Sequence, residues 1–166
     1  MDSARKDLEL LNINYSLYPV EVDDILQCPA ATYALSSNLK KQLCLFLKDV
    51  KMPKEFCSNI GGRVNIIDKK ISGLKSHDCH ILLQYLIPLA TRALLPDDVY
   101  DALVHLSRFF RLLCQKSLNR DELEELQDDI VLTLCKLEKI FPHSFFDIMV
   151  HLPLHLAIEA LLGGSI

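Results

Sequence analysis

From Ser36 onward, apolar residues return at helical spacing in one stretch after another. In the first, Leu39, Leu43, Phe46, Leu47 and Val50 recur every three or four residues with lysines between them. That pattern predicts an amphipathic helix, capped by Ser36 or Ser37 and finished before Pro53. Ser76 suits the N-cap of a second helix over residues 77 to 94. Pro88 predicts a kink inside it, because proline has no N–H to donate and its ring crowds the preceding turn. In the third stretch Pro96 fits a helix start, and Asp97 and Asp98 complement the helix dipole. Val99, Ala102, Leu103, Leu106, Phe109, Phe110 and Leu113 then take one side, with Asp101, His105, Arg108 and Arg111 largely on the other. Asn119 followed by Glu122 is a capping-box variant, and Leu123, Leu126, Ile130, Leu134, Leu137 and Phe141 form one stripe that runs to Pro142. A last apolar segment, 144–160, is broken or kinked at Pro153.

Glycine punctuates this pattern at two places only, Gly61, Gly62 and Gly73 in one segment and Gly163 and Gly164 at the end. The glycine-free stretches favour helix. Residues 58–75, with two glycines and then a Val64-Asn65-Ile66-Ile67 patch, predict a loop with room for one short element. The first 35 residues predict a short helix near 5–11 and then an irregular or short-stranded run through Tyr18-Pro19 and Pro29. The expected fold is all-α, with four to five helices packed antiparallel over 36–166 behind a poorly defined N-terminal segment 1–35.

Composition narrows the function classes. The chain has 166 residues, half of them hydrophobic and 24% charged, which excludes a disordered or collagenous chain. A chain of this length buries about two thirds of its unfolded surface, so a core needs no covalent staples. The six cysteines, at 28, 44, 57, 79, 114 and 135, include no C-x-x-C pair and follow no signal peptide. This predicts a reducing, intracellular setting rather than a disulfide framework. Cys44, Cys79, Cys114 and Cys135 fall in predicted helices, where a free thiol is expected to pack as a small buried hydrophobe. The most apolar run, 81–95, is interrupted by Gln84, Pro88 and Arg92 and is shorter than the roughly 18 residues of a membrane span, so no membrane partner is expected.

The net charge of −4 conceals an asymmetry. Residues 36–76 hold nine Lys and Arg against three acids, a net of +6, while the rest of the chain has nine against nineteen, a net of −10. Lys40, Lys41, Lys48, Lys51, Lys54, Arg63, Lys69, Lys70 and Lys75 are therefore candidate DNA contacts, since cations paired with phosphates release condensed counterions. The competing explanation is a solvated lysine-rich face that complements the acidic helix at 121–129 within the same molecule.

The histidines form two groups. His77-Asp78-Cys79-His80 lies at a helix start, and His151, His155 and Glu159 are spaced i, i+4, i+8. His77, His80, His151 and His155 are candidate metal ligands, with zinc as the candidate cofactor; the alternative is capping or core histidines satisfied by backbone carbonyls and no cofactor. Residue 152 is Leu where a zinc protease of H-E-x-x-H type needs its Glu, which excludes that chemistry. Gly61-Gly62 leads into Arg-Val-Asn rather than Lys-Ser or Lys-Thr, and no nucleophile elbow is present. Nothing in the sequence marks an enzyme.

Longer wordings of the chain carry a resemblance. Residues 70–80, Lys-Ile-Ser-Gly-Leu-Lys-Ser-His-Asp-Cys-His, and 134–142, Leu-Cys-Lys-Leu-Glu-Lys-Ile-Phe-Pro, running into 144–153, Ser-Phe-Phe-Asp-Ile-Met-Val-His-Leu-Pro, resemble the plant domain of unknown function (number 4218) associated with CACTA (En/Spm-type) transposon transposases. The likeness runs from about Leu39 to the C-terminus, with a weaker echo at Asp7-Leu8, Asn12-Ile13 and Leu17-Tyr18-Pro19. It implies a transposon origin, a nuclear setting and a non-catalytic role beside a DDE-type nuclease core supplied elsewhere, through DNA-end contact or assembly with that core or with itself. Family members continue past Leu161-Leu162-Gly163-Gly164, whereas this chain stops at Ile166, so a truncated copy is implied. In that setting Glu159 is the one candidate catalytic residue, as the final metal-binding glutamate of such a core. Other readings remain: a histidine-rich structural metal module, a protein interaction domain using a partly uncovered stripe at 123–141, or a non-functional relic.

Overall fold

The computed structural model describes residues 2–12, 15–22, 25–53, 59–142 and 145–163. The chain divides into two compact units, Met1–Ala34 and Leu35–Ile166. In the first, helix α1 (Asp2–Leu10) ends at Asn12, whose φ of 55° is the left-handed conformation that often closes a helix. A 3-10 turn at Tyr15–Leu17 follows, and then an antiparallel hairpin, β1 (Val20–Val22) and β2 (Ile25–Gln27), in which Val20 faces Gln27 and Val22 faces Ile25. All six strand residues are exposed.

The second unit is predominantly α-helical, as the periodicity predicts. Helix α2 (Ser37–Asp49) starts where Ser36 accepts a hydrogen bond from the Leu39 N–H at 3.3 Å, and it buries Cys44 and Leu47. A 3-10 turn (Ile60–Arg63) leads into a small hairpin, β3 (Val64–Asn65) and β4 (Lys70–Ile71). Helix α3 (Ser76–Ile81) then runs without interruption through a π-helical turn (Leu82–Leu86) into α4 (Ile87–Thr91).

The kink expected at Pro88 takes the form of this π turn. In an α-helix the ring of Pro88 would meet the carbonyl of Gln84, which it also could not satisfy. The wider turn avoids that conflict, with the Ile87 N–H bonding to the Leu82 carbonyl five residues back. The path ends at Thr91 rather than 94, because Leu95 precedes Pro96 and is driven out of helical conformation. Both Leu94 and Leu95 donate to the Thr91 carbonyl. The expected Ser76 cap is also displaced by one residue. Lys75 is the N-cap, and the Asp78 carboxylate accepts its backbone N–H at 3.0 Å while being only 1% exposed.

Helix α5 (Asp97–Leu113) follows Pro96, and α6 (Arg120–Ile140) follows Asn119, whose side chain accepts from the Asp121 N–H at 3.1 Å. A short α7 (Ile148–His151) and α8 (Pro153–Gly163) complete the described chain, with Pro153 opening α8. Two groups of buried side chains hold the unit together. Cys44, Leu47, Ile60, Val64, Ile81, Leu86 and Ala90 join α2, the hairpin and α3–α4. Phe109, Leu113, Leu123, Leu126, Ile130, Ala157 and Ala160 join α5, α6 and α8. Buried hydroxyls are satisfied locally: Thr91, Ser107 and Thr133 each donate to the carbonyl four residues back, at 2.7–2.8 Å.

Two expectations need correction. Cys44 is buried, but Cys79, Cys114 and Cys135 are exposed. The Cys79 and Cys135 thiols lie on outward helix faces, and Cys114 is the C-cap of α5, where the chain leaves the core. The stripe of α6 is covered along most of its length, with Leu134 and Phe141 left half-buried. Leu123, Leu126, Ile130 and Leu137 are at most 5% exposed, because α5 and α8 pack over them. The apolar side chains that α6 leaves open are Val131 and Leu132. Among the described residues no helix is long and apolar enough to cross a membrane.

Candidate functional site

The basic residues of segment 36–76 are assembled by short-range chemistry around α2 and the β3–β4 hairpin. Asn59 opens the 3-10 turn by accepting from the Gly62 N–H at 3.1 Å. Gly61 lies so close to α2 that a Cβ there would be 2.5 Å from the Lys48 carbonyl oxygen. In the hairpin, Asn65 Oδ1 accepts from the Ile67 and Asp68 N–H groups at 3.0 and 3.1 Å, and its amide donates to Asp68 at 2.7 Å. Lys69 closes the turn with φ 51°. Its ammonium donates to the Ser37 hydroxyl at the first turn of α2. The hairpin and its 3-10 turn are thus tied to both ends of α2.

This arrangement places Lys40, Lys41 and Lys48 on α2, Lys51 just after it, Arg63 at the end of the 3-10 turn, Lys69 and Lys70 in the hairpin and Lys75 at the start of α3. Lys69 is half-buried and the other seven are exposed. Lys54 lies outside the described residues. None of the ion pairs among the described residues involves these side chains.

The acidic helix α6 finds its cations elsewhere. Arg108 on α5 meets Asp129 at 3.4 Å, and Arg120 meets Glu124 at 3.3 Å. Lys136 meets Asp101 at 2.6 Å, with His105 on the other carboxylate oxygen at 3.4 Å. The hydrogen bond from Lys136 is the main cause that holds the Asp101 carboxyl below its usual range; partial burial opposes it and His105 assists. A depressed folded pKa adds stability above the unfolded value, near 4, which is lost as pH falls through the folded value. With Lys136 and Asp101 48% and 52% exposed, water screens the pair, and Asp101→Asn is expected to cost about 0.5 kcal/mol or less. Urea midpoints compared at pH 7 and at about pH 2 check this, since the difference should vanish in acid.

The four histidines are split. His77 and His80 are exposed on α3, which belongs to the first buried group. His151 ends α7 and His155 lies in the first half of α8, both exposed, with their Nε2 atoms 3.3 Å apart and their rings at 69°. The break at Pro153 therefore does not separate them. Among the described residues no group of three His, Cys, Asp or Glu side chains is placed to hold a metal ion. Glu159 is exposed on α8, one turn beyond His155.

A feature that periodicity does not disclose lies beside this pair. A groove of about 540 Å³ between α6 and the α7–α8 segment is lined by Val131, Leu134, Phe146, Val150 and Leu154, with Cys135, Glu138, Asp147 and His151 among its walls. Of its α6 wall, Leu134 belongs to the stripe that the spacing predicts, whereas Val131 is apolar but falls off it.

Residues 113–166 match the model of a family described as Domain of unknown function (DUF4218). The match covers about a third of the chain, from the last residue of α5 through α8, and so includes the acidic helix, the groove and His151–His155 but not the basic segment. No curated protein and no solved structure matches the chain.

Proposed function

We propose that the chain is a non-catalytic accessory domain of a CACTA-type transposase, working in the nucleus, and that segment 36–76 contacts the phosphates of DNA. The observation that carries the DNA contact is a set of cations that stand outside the ion pairs of the described residues. Eight described Lys and Arg are gathered on α2, the hairpin and the start of α3, and none takes part in an ion pair among the described residues. On α6, Asp129 and Glu124 meet Arg108 and Arg120, and no ion pair among the described residues joins that helix to a cation of segment 36–76, which favours the DNA reading over a lysine face complementing the helix. Cations held by a folded scaffold outside any ion pair of the described residues suit a polyanion, and each phosphate contact releases condensed counterions.

The test is equilibrium binding of the whole chain to a short DNA duplex. Affinity should fall by orders of magnitude between about 50 and 200 mM salt if several phosphates are touched. Replacing Lys40, Lys41, Lys70 and Lys75 with glutamine should weaken binding and flatten the salt slope by about 0.9 for each phosphate contact removed. A folded wild-type chain that does not bind at low salt, or a slope unchanged in the variant, overturns the proposal.

A further inference from the structure

We infer that His151 and His155 form a two-histidine site for a borderline divalent transition-metal ion, zinc above all, and that the bound ion clips α7 to α8 across the break at Pro153. The two Nε2 atoms face each other at 3.3 Å. That is longer than the usual 2.9–3.0 Å of an N–H donor to its acceptor, so as a hydrogen bond the contact is weak. It does match a metal bite: two nitrogens at about 2.0–2.1 Å from a tetrahedral zinc lie roughly 3.3–3.4 Å apart. One ion between the rings would therefore replace a poor hydrogen bond by two coordinate bonds without moving either helix.

The local fold preorganises this bite. The Asp147 carboxylate accepts from the Met149 and Val150 N–H groups at 2.9 and 3.2 Å, which fixes the start of α7. The His155 N–H donates to the Leu152 carbonyl at 2.9 Å, and Pro153 sets the first turn of α8, which fixes the other ring. Both imidazoles are exposed, so water can reach the ion and fill the positions that no third described side chain occupies. Two neutral imidazoles favour zinc, nickel or copper over magnesium or calcium, which take oxygen ligands.

The experiment titrates zinc into the whole chain, purified without a histidine tag and stripped of metal. Zinc should bind at one equivalent and raise the Tm, because a ligand held only by the folded state stabilises it. His151→Gln and His155→Gln should each lower the affinity by about tenfold or more and abolish the Tm rise. His77→Gln and His80→Gln should change neither. Cobalt in place of zinc should bind without the charge-transfer absorption of a thiolate, which separates this site from exposed Cys135 nearby. Four results overturn the inference: no zinc binding, binding that survives both glutamine variants, loss of binding with His77 or His80, or a thiolate band. Glutamine keeps the size and polarity of each exposed ring position, and the Tm of each metal-free variant confirms that it is folded. None of these readouts involves DNA, so the site stands or falls apart from the basic segment.

Discussion

Replacing Phe109 with alanine is expected to destabilise the chain by about 3–5 kcal/mol. The ring is 2% exposed and belongs to the group formed with Leu113, Leu123, Leu126, Ile130, Ala157 and Ala160, so its removal leaves a void among three helices. Phe110, edge-on to it at 5.3 Å between ring centres, is only half-buried. It can be truncated at smaller cost because water already reaches part of it. Domains are stable by only about 5–15 kcal/mol in total, so Phe109→Ala removes a large share. Denaturant unfolding followed by circular dichroism should show a lower midpoint with the slope unchanged if the effect lies in the native state. A loss below about 1 kcal/mol would mean that α5, α6 and α8 do not close around this ring.

The second large effect is expected at Gly61, and it links stability to the proposed DNA contact. A methyl group there would stand 2.5 Å from the Lys48 carbonyl oxygen, a backbone atom that cannot turn aside. Gly61→Ala must therefore push the 3-10 turn away from α2, at a cost of about 1–3 kcal/mol. The substitution changes no charge, yet it disturbs the spacing between the lysines of α2 and those of the hairpin. Duplex affinity at low salt should fall in Gly61→Ala although every cation is retained. Gly62→Ala is the control, since its Cβ would come no closer than 3.4 Å to the Asn59 side chain. Equal affinities for wild type and Gly61→Ala would show that the spatial arrangement of the basic residues does not matter.

The helical architecture was legible because its signals are local. Ser36 and Asn119 cap as their side-chain chemistry suggests, although Asn119 accepts from the Asp121 N–H rather than at the third residue as a capping box would, and Pro142 follows the end of α6 after one residue. The apolar stripes of α5 and α6 face inward as their spacing requires. Where the outcome depends on other parts of the chain, the pattern was silent or misleading. The β3–β4 hairpin rests on Asn65 side-chain bonds and on Lys69 at positive φ, and lysine does not announce that conformation. Ser76 reads as the cap of the second helix, yet the first turn of α3 is anchored by buried Asp78 accepting from the Lys75 N–H. Cys79 and Cys135 sit in helices as expected but on their outer faces, since helix membership alone does not fix burial.

The candidate site divides in the same way. The charge asymmetry between 36–76 and the remainder is a property of composition and was plain in the sequence. Which cations are already paired is a property of distances between residues far apart in sequence, such as Lys136 with Asp101, and no spacing rule supplies it. The His151–His155 contact is intermediate. The i, i+4 spacing suggests it and Pro153 argues against it, and the contact survives because the chain resumes its helical path within one residue.

The π turn before Pro88 also bears on how this lineage can gain or lose residues. An α-helix advances 100° per residue, so a single-residue deletion within α5 or α6 would rotate every later side chain off its buried face. A π turn is an α turn with one residue too many, and the helix on either side keeps its facing. Leu82–Leu86 is thus a place within the helical path where the chain can shorten by one residue with Ile81 and Ala90 both still pointing inward, provided that proline leaves position 88 at the same time. Length and residue type are coupled there. A related sequence with an ordinary helix former at this position is expected to carry a one-residue gap beside it, and one that keeps the proline is expected to keep the extra residue.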